Sequence, residues 1–577
     1  MDRQMTARAG LAAAGGVAGL SLYLISELAA AQLLAGRPLL AVAGFAGSFF
    51  AALLAMSGPI ALRRAALGAG GIALAVMALL VVASLGFVRA EDVLDSAHVV
   101  LGAVILTLVP VPFWIAAQGP GWRDYGVLFA QSWGIVVRMV AAFAFTGLVW
   151  AVIFLSDALL QVVGLDLIDR VINLGPMPWL ITGGVLGLAL AVVQEMADYV
   201  SPYLLLRLLR LLLPVVAVVV AVFLVALPLR GISGLFGSFS FALTILAMAG
   251  AVATLITTAV DQDDSQAAQG AGVVRLAQAM ALMLPVLAGL GAWAVWLRVA
   301  DHGWTPSRVF AAEVAALALG YGLLYALAVL RGAGWRARVR DANVTMALAL
   351  LVLAALAMTP VLSAERLSVG SLMARLEDGR LAPEQLEVAL LDRWGRPGAE
   401  ARALLEARAA EPGQVALARV LAQAGQAREG ADPAGLLADL AAVMPLQPPG
   451  AAATRDLYLA TLDSYRLGEL LDSCKRQMPG GGAGCVMVVA DLAPDLPGEE
   501  AVVIEYTSGG FVQFMGFRND AATGASLREV LPAGGVLPQY EAAAALIRAW
   551  QLAPPAVMPA PIRQLNLPEG GGLIIAP

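Results

Sequence analysis

Through the first two-thirds of the chain, long apolar runs alternate with short polar interruptions. The runs are 11–34, 38–56, 65–88, 93–117, 133–160, 177–197, 204–228, 239–260, 272–297, 307–330 and 342–362. An α-helix needs roughly 17–25 mostly apolar residues to cross about 30 Å of hydrocarbon, and these runs reach that length. They lack the two-residue alternation of barrel strands, and backbone inside a bilayer must pair within its own segment. The pattern therefore predicts an all-α polytopic bundle of about eleven transmembrane helices over residues 1–362. The run 38–56 is short. If it folded back instead of crossing, every later segment would change sides.

After residue 362 the pattern changes. Leu372, Leu376, Leu381, Leu386, Leu390 and Leu391 begin a leucine spacing that continues through Leu404, Leu405, Leu417, Leu421, Leu436 and Leu440, and Gly and Pro divide it into short helices. This predicts a soluble helical segment over 363–447. Pro448, Pro449 and Gly450 break it. A helix around 454–476 follows, then strand-like stretches at 485–490, 501–506, 511–517 and 573–575 with a helix at 540–552. Residues 451–577 thus read as a small mixed α/β or α+β domain.

Charge divides the chain at the same place. Residues 1–362 hold 19 Arg, no Lys and 17 Asp or Glu, whereas residues 363–577 hold 17 basic and 25 acidic residues. Cytoplasmic loops retain the excess of Lys and Arg. With the N-terminus inside, the inner segments carry Arg3, Arg8, Arg63, Arg64, Arg123, Arg207, Arg210, Arg275, Arg331, Arg336, Arg338 and Arg340. The outer ones carry Arg37, Arg89, Arg170, Arg230, Arg298, Arg308 and Arg366, so the bias is twelve to seven. An odd number of spans then puts the C-terminal third outside, in the periplasm of a Gram-negative cell. The first run is too long for a cleaved signal and reads as a retained anchor. Scattered arginines on a chain of net charge −6 give no nucleic-acid footprint. Two segments look interfacial: 165–172, with Leu165, Leu167, Ile168, Val171 and Ile172 at helical spacing, and the aromatic stretch 119–131.

Ionisable groups within membrane spans are costly and mark candidate sites. Glu27, Arg138, Asp157, Glu195 and Glu313 are the main ones, with His98 and Asp198 beside them. Glu27 and Glu313 would both sit in the outer half, where a shared vestibule is conceivable. The bland reading is that the carboxylates bond to neighbouring helices and that His98 is a packed histidine. Asp301, His302 and Arg308 form an outer-interface polar cluster. Gly15–Gly19 and Gly183–Gly187 each match Gly-x-x-x-Gly, a helix-contact pattern that arises often by chance in a chain with 60 glycines. The run Asp261, Gln262, Asp263, Asp264 lacks the spacing of a calcium loop and reads as a solvated face. Asp491, Asp495, Glu499 and Glu500 read as an acidic turn.

Cys474 and Cys485 are the only cysteines. In an oxidising compartment a disulfide between them would close the glycine-rich loop; otherwise they are two thiols. No residue pattern calls for a metal or a cofactor. Gly-x-Ser-x-Gly, His-Glu-x-x-His and Walker-type sequences do not occur, so whether the chain is an enzyme stays open.

Residues around the end of the last span carry a family resemblance. Pro360, then Glu365-Arg366-Leu367-Ser368, Ser371, Arg375-Leu376, Gly379, Leu391-Asp392 and Gly395 resemble the helical junction of the DUF4153 family of bacterial membrane proteins. Thr305-Pro306 with Arg308 resembles that family's Tyr-Gly-Leu-Thr-Pro-Asn-Arg loop, with Gly303 and Trp304 before it and Ser307 in place of the Asn. Phe223, Leu227-Pro228, Gly231, Gln262-Asp263 and the stretch Gly134 to Trp150 are similar too. The resemblance implies a multispanning inner-membrane protein and brings no catalytic residues. The leading functional expectation is an envelope interaction or scaffold protein in contact with membrane lipids and with an envelope protein partner. The alternatives are a transporter or channel component that uses the intramembrane charges, and a membrane enzyme acting on lipid-linked envelope material through Asp157, Asp166, Asp301, His302 and Arg308.

Overall fold

A computed structural model describes residues 2–31, 33–162, 165, 167–195, 202–230, 239–429, 433–493, 498–506, 512–520, 524–528, 530, 540–557, 565–566 and 572–573. Asp166, Asp198 and Asp495 lie outside them. The chain forms two compact units, Met1–Arg408 and Ala409–Pro577.

The first unit is a multispanning membrane bundle. Its long helices are α1 (Asp2–Ala30), α2 (Gly36–Met56), α3 (Leu62–Ser84), α4 (Ala97–Ala117), α5 (Tyr125–Val162), α6 (Met177–Glu195), α7 (Pro202–Arg230), α8 (Phe239–Val260), α9 (Ala271–His302), α10 (Pro306–Leu330) and α11 (Trp335–Ala357). All eleven are long and apolar enough to cross a membrane. Pro110 breaks α4 into Ala97–Leu108 and Pro110–Ala117, because a proline offers no N–H to the preceding turn. The last span lies several residues earlier than its apolar run. Arg338 and Arg340 are drawn into the helix because they bond to carbonyls at the ends of α10 and α8, and Arg336 bonds to the Ala268 carbonyl in the loop between α8 and α9. Along α7, Leu208, Leu211, Leu212, Val215, Val218, Val222 and Val225 are exposed from the protein, as side chains that face lipid are. Between α5 and α6 a short helix spans Leu167–Ile172.

Contacts between helix ends define two faces. On the face where α1 begins, Arg8 of α1 pairs with Glu195 at the end of α6, and Trp114 near the end of α4 donates to the Arg64 carbonyl of α3 at 3.1 Å. Arg340 of α11 donates there to the Val260 carbonyl that ends α8, at 2.8 Å. On the opposite face, Arg37 of α2 donates to the Ser84 carbonyl that ends α3, at 3.3 Å. We call these the proximal and distal faces. Consecutive spans alternate between them, and α2 joins the two. Its 21 residues cover about 31 Å at 1.5 Å per residue.

The two Gly-x-x-x-Gly matches face each other. A Cβ on Gly15 would strike the carbonyl oxygen of Gly183, and one on Gly183 would strike that of Gly15. Gly19 abuts the Trp179 carbonyl and Gly187 abuts that of Leu11. Rising numbers on α1 meet falling numbers on α6, so the pair is antiparallel. Lipid tails give apolar side chains little reason to associate, so packing at close backbone approach has to hold such helices together.

Three further helices belong to the first unit: α12 (Ala364–Glu377), α13 (Val388–Arg393) and α14 (Gly395–Ala409). The helical segment that begins at 363 is thus shared between the units.

The second unit contains α15 (Val415–Glu429), α16 (Pro433–Val443), α17 (Ala452–Leu459), α18 (Ser464–Lys475) and α19 (Tyr540–Leu552). Its five-stranded sheet runs β1 (Leu446–Gln447), β2 (Cys485–Ala490), β3 (Glu500–Tyr506), β4 (Val512–Asp520) and β5 (Gly524–Arg528), in that order. β1 is parallel to β2 and the other pairs are antiparallel. Alternation splits the core. Cys485, Met487, Val489, Val503 and Phe517 pack with Tyr458, Leu467 and Leu470, while Val486, Val488, Ile504 and Tyr506 pack with Ala543, Ala544 and Ile547 of α19. A sheet covered on both faces reads in sequence as continuous apolar runs, as β2 does. The helix expected over 454–476 is two helices, because the Asp463 side chain accepts the Arg466 N–H at 2.8 Å and caps a new start.

Candidate functional site at the distal junction

The distal face brings together residues that are far apart in sequence. Ser96 precedes α4, His98 lies in its first turn, and Glu365 lies in the first turn of α12. Ser96 Oγ donates to Glu365 Oε1 at 2.9 Å, and His98 Nε2 lies 3.4 Å from the same oxygen. Ser363 Oγ donates to Oε2 at 3.0 Å. The His98 and Glu365 side chains are each 8% exposed. Burial pushes the Glu365 carboxyl up, but the His98 ring and the Ser96 hydroxyl outweigh it and hold the group below its ordinary value. The cluster borders a cavity of about 180 Å³ lined also by Phe87, Met358, Pro360 and Arg366. Ser96 Oγ also lies 3.1 Å from His98 Nδ1, so hydroxyl, imidazole and carboxylate form one hydrogen-bonded cluster. It can share and exchange protons.

Several residues of the Thr305–Arg308 and Pro360–Gly395 segments gather around the same junction. Ser371 Oγ of α12 accepts the Trp304 N–H at 3.0 Å, and Arg375 donates to the carbonyls of Ala300 at 3.0 Å and Asp301 at 2.5 Å. Arg308 donates to the carbonyls of His302 at 3.2 Å and Gly303 at 2.7 Å. Two guanidinium groups thus satisfy the last carbonyls of α9, where cations also meet the negative end of the helix dipole. The side chains of Asp301 and His302 are exposed. The predicted outer cluster exists as a backbone cap, not as a converged set of side chains. Gly395, at φ +60°, lies against the Gly86 carbonyl, which accepts the Arg396 N–H at 2.8 Å.

The five intramembrane candidates do not converge. Glu195 is tied to Arg8. Glu27 is exposed on α1 and one turn from Tyr23. Asp157 Oδ2 accepts from Gln161 at 2.8 Å, while its Oδ1 is buried without a partner. Glu313 on α10 lies within electrostatic reach of His98. α1 packs on α6 and α2, and α10 on α9, α11, α8 and α12, so Glu27 and Glu313 belong to different helix neighbourhoods. Among the described residues Arg138 bonds only to backbone, through Nε to Gly134 at 3.2 Å and Nη2 to Ala55 at 3.4 Å.

The reading of 261–264 as a solvated face holds for Asp263 and Asp264, which are exposed, and is corrected for Asp261. Asp261 is 3% exposed and pairs with Arg210, whose Nε also donates to the Thr258 carbonyl at 2.7 Å. Asp264 meets Arg340 at 2.8 Å. The carboxylates dock the loop onto arginines from α7 and α11, a partnership invisible in a local run. Asp263 does turn outward, where the Ser265 hydroxyl and the backbone beyond it lower its carboxyl. In the acidic turn, Glu500 is buried and accepts the N–H groups of Leu492 and Ala493, each at 2.9 Å.

A polar chain that was not anticipated sits within the bundle. Asn343 Nδ2 donates to Tyr125 Oη at 2.9 Å, Tyr325 Oη donates to Asn343 Oδ1, and Thr257 Oγ1 lies 2.8 Å from Tyr325 Oη. Tyr125, Thr257 and Asn343 line one side of an apolar cavity of about 650 Å³ between α4, α5, α8, α10 and α11. Asn343 was visible as an amide inside an apolar run; its tyrosine partners were not. Among the described residues no group of three or more His, Cys, Asp or Glu side chains could hold a metal.

No family model, curated protein or solved structure matches the chain. In the second unit Cys474 and Cys485 form a disulfide, with Cα atoms 4.7 Å apart, that fastens α18 to β2.

Proposed function

We propose that the chain is an inner-membrane protein of the DUF4153 kind, N-terminus cytoplasmic, that carries its C-terminal unit into the periplasm as a binding module for an envelope partner. The observation that supports this most is the alternation of the eleven spans between two faces. The arginine-rich segments fall on the proximal face, and the chain emerges from α11 on the distal one, where α12 and the start of α14 are pinned. By the positive-inside rule the proximal face is cytoplasmic. The Cys474–Cys485 disulfide suits an oxidising compartment. The DUF4153 assignment draws support from the meeting of Thr305-Pro306, Arg308, Glu365, Ser371, Arg375 and Gly395 at one junction. The scattered carboxylates give an ion path no such support.

The test is a deletion of residues 409–577, which leaves the first unit whole, followed by affinity purification from native membranes and mass spectrometry. The truncated chain is expected to insert and to lose specific envelope proteins that the full chain retains. An unchanged set of co-purifying proteins, with unchanged envelope integrity, would contradict the reading.

A further inference from the structure

On the proximal side a second cavity, of about 390 Å³, opens between the α2–α3 loop, α5, α6, α7 and the loop after α8. Its lining is largely apolar, like that of the larger one, but it adds an arginine and four glutamines. Arg138 lines it together with Gln131, Gln194, Gln262 and Gln266. Among the described residues no carboxylate lies within ion-pair distance of Arg138, and both of its hydrogen bonds go to backbone carbonyls. Asp261 also lines the cavity, but it is neutralised by Arg210. Arg138 is thus a cation on a largely apolar wall, with no carboxylate among the described residues to neutralise it. A guanidinium in partly dry surroundings is best matched by a phosphate or carboxylate, which its fork of N–H groups can bind in two places.

This chamber adjoins the apolar cavity of about 650 Å³. The two share Phe129 and Trp133, consecutive on one side of α5 with ring centroids 6.5 Å apart. A chamber with an unneutralised cation on its wall beside an apolar one, divided by an aromatic pair, matches an amphiphile with an anionic head and a hydrocarbon tail. Both volumes fall in the range of roughly 300–1,000 Å³ typical of ligand sites. We propose that the bundle holds one anionic phospholipid, its phosphate on Arg138 and one acyl chain past Phe129 and Trp133 against α8 and α10.

The proposal is tested on the full chain in nanodiscs of zwitterionic phosphatidylcholine doped with phosphatidylglycerol, with retained lipid read by native mass spectrometry. The wild type is expected to retain one phosphatidylglycerol in preference to phosphatidylcholine. Arg138→Gln should lower that preference about tenfold, the scale of one lost charge-assisted contact, and Arg138→Lys should restore part of it. Ala318→Phe, which fills the apolar cavity, should reduce retention of the lipid with Arg138 intact. Equal retention in Arg138→Gln and wild type would overturn the proposal. So would displacement of the lipid by millimolar inorganic phosphate together with an Ala318→Phe variant that binds normally, which would mark a bare anion site. If Arg138→Gln does not fold, a wild type with no preference between the two lipids overturns it alone.

Discussion

Adding one methyl group at Gly183 should separate α1 from α6. In Gly183→Ala the new Cβ points at the carbonyl oxygen of Gly15, and the clash is backbone against backbone. No rotamer relieves it, so the helices must move apart and loosen the contacts at Gly15, Gly19 and Gly187 together. Overpacking of this kind costs about 1–3 kcal/mol. Alanine also gains about 1 kcal/mol of helix propensity over glycine, which masks part of the loss. The adjacent Gly184 provides the correction. A Cβ there meets only the Ala12 carbonyl at 3.8 Å, an ordinary contact. Gly184→Ala therefore carries the propensity gain without the clash. The difference between the two variants isolates the interface and should be about 1–3 kcal/mol. Unfolding by sodium dodecyl sulfate in mixed micelles, followed by tryptophan fluorescence, measures it. Trp150, which donates to Thr182 Oγ1 at 3.0 Å, reports close to the site. Coincident unfolding curves for the two variants would refute the close-approach argument.

The Glu365 carboxyl is held below its ordinary value of 4.5, so its contribution is present above that pH and is lost as pH falls through the folded value. Glu365→Gln should cost about 1.5–3 kcal/mol at neutral pH and flatten the acid side of the stability profile; parallel wild-type and variant profiles from pH 7 to about 3 would contradict this. Replacing Cys474 and Cys485 together by Ala should destabilise the second unit by about 3 kcal/mol through the opened loop, seen as faster proteolysis within residues 409–577 while the bundle keeps its unfolding midpoint. A protease pattern identical to wild type would show that the crosslink contributes nothing.

The bundle was legible because membrane spans depend on a single property, a sustained apolar run, and the sheet strands β2 to β4 were legible for a related reason. β1 and β5 were not. β1 has two residues, and β5, Gly-Ala-Ser-Leu-Arg, is polar because it lies at the sheet's edge, so neither has an apolar run to announce it. The site was legible only in pieces. His98 and Glu365 are 267 positions apart, and a lone histidine on an apolar stretch gives no hint of its partner. Asp261 read as solvated because a local charge run does not show Arg210 arriving from α7. The glycine matches were individually weak, and became specific only once the fold placed them opposite each other. In each case the missing information was tertiary adjacency, which composition and periodicity do not encode.

The central claim is that an odd number of crossings separates the N-terminus from the C-terminal unit. Paired fusions in a Gram-negative host test it directly, with green fluorescent protein or alkaline phosphatase attached in turn after residue 577. The account predicts a dark fluorescent protein fusion and an active phosphatase fusion, with the fluorescent protein bright when moved to the N-terminus. A bright C-terminal fluorescent fusion with an inactive phosphatase would place both ends on the same side and contradict it.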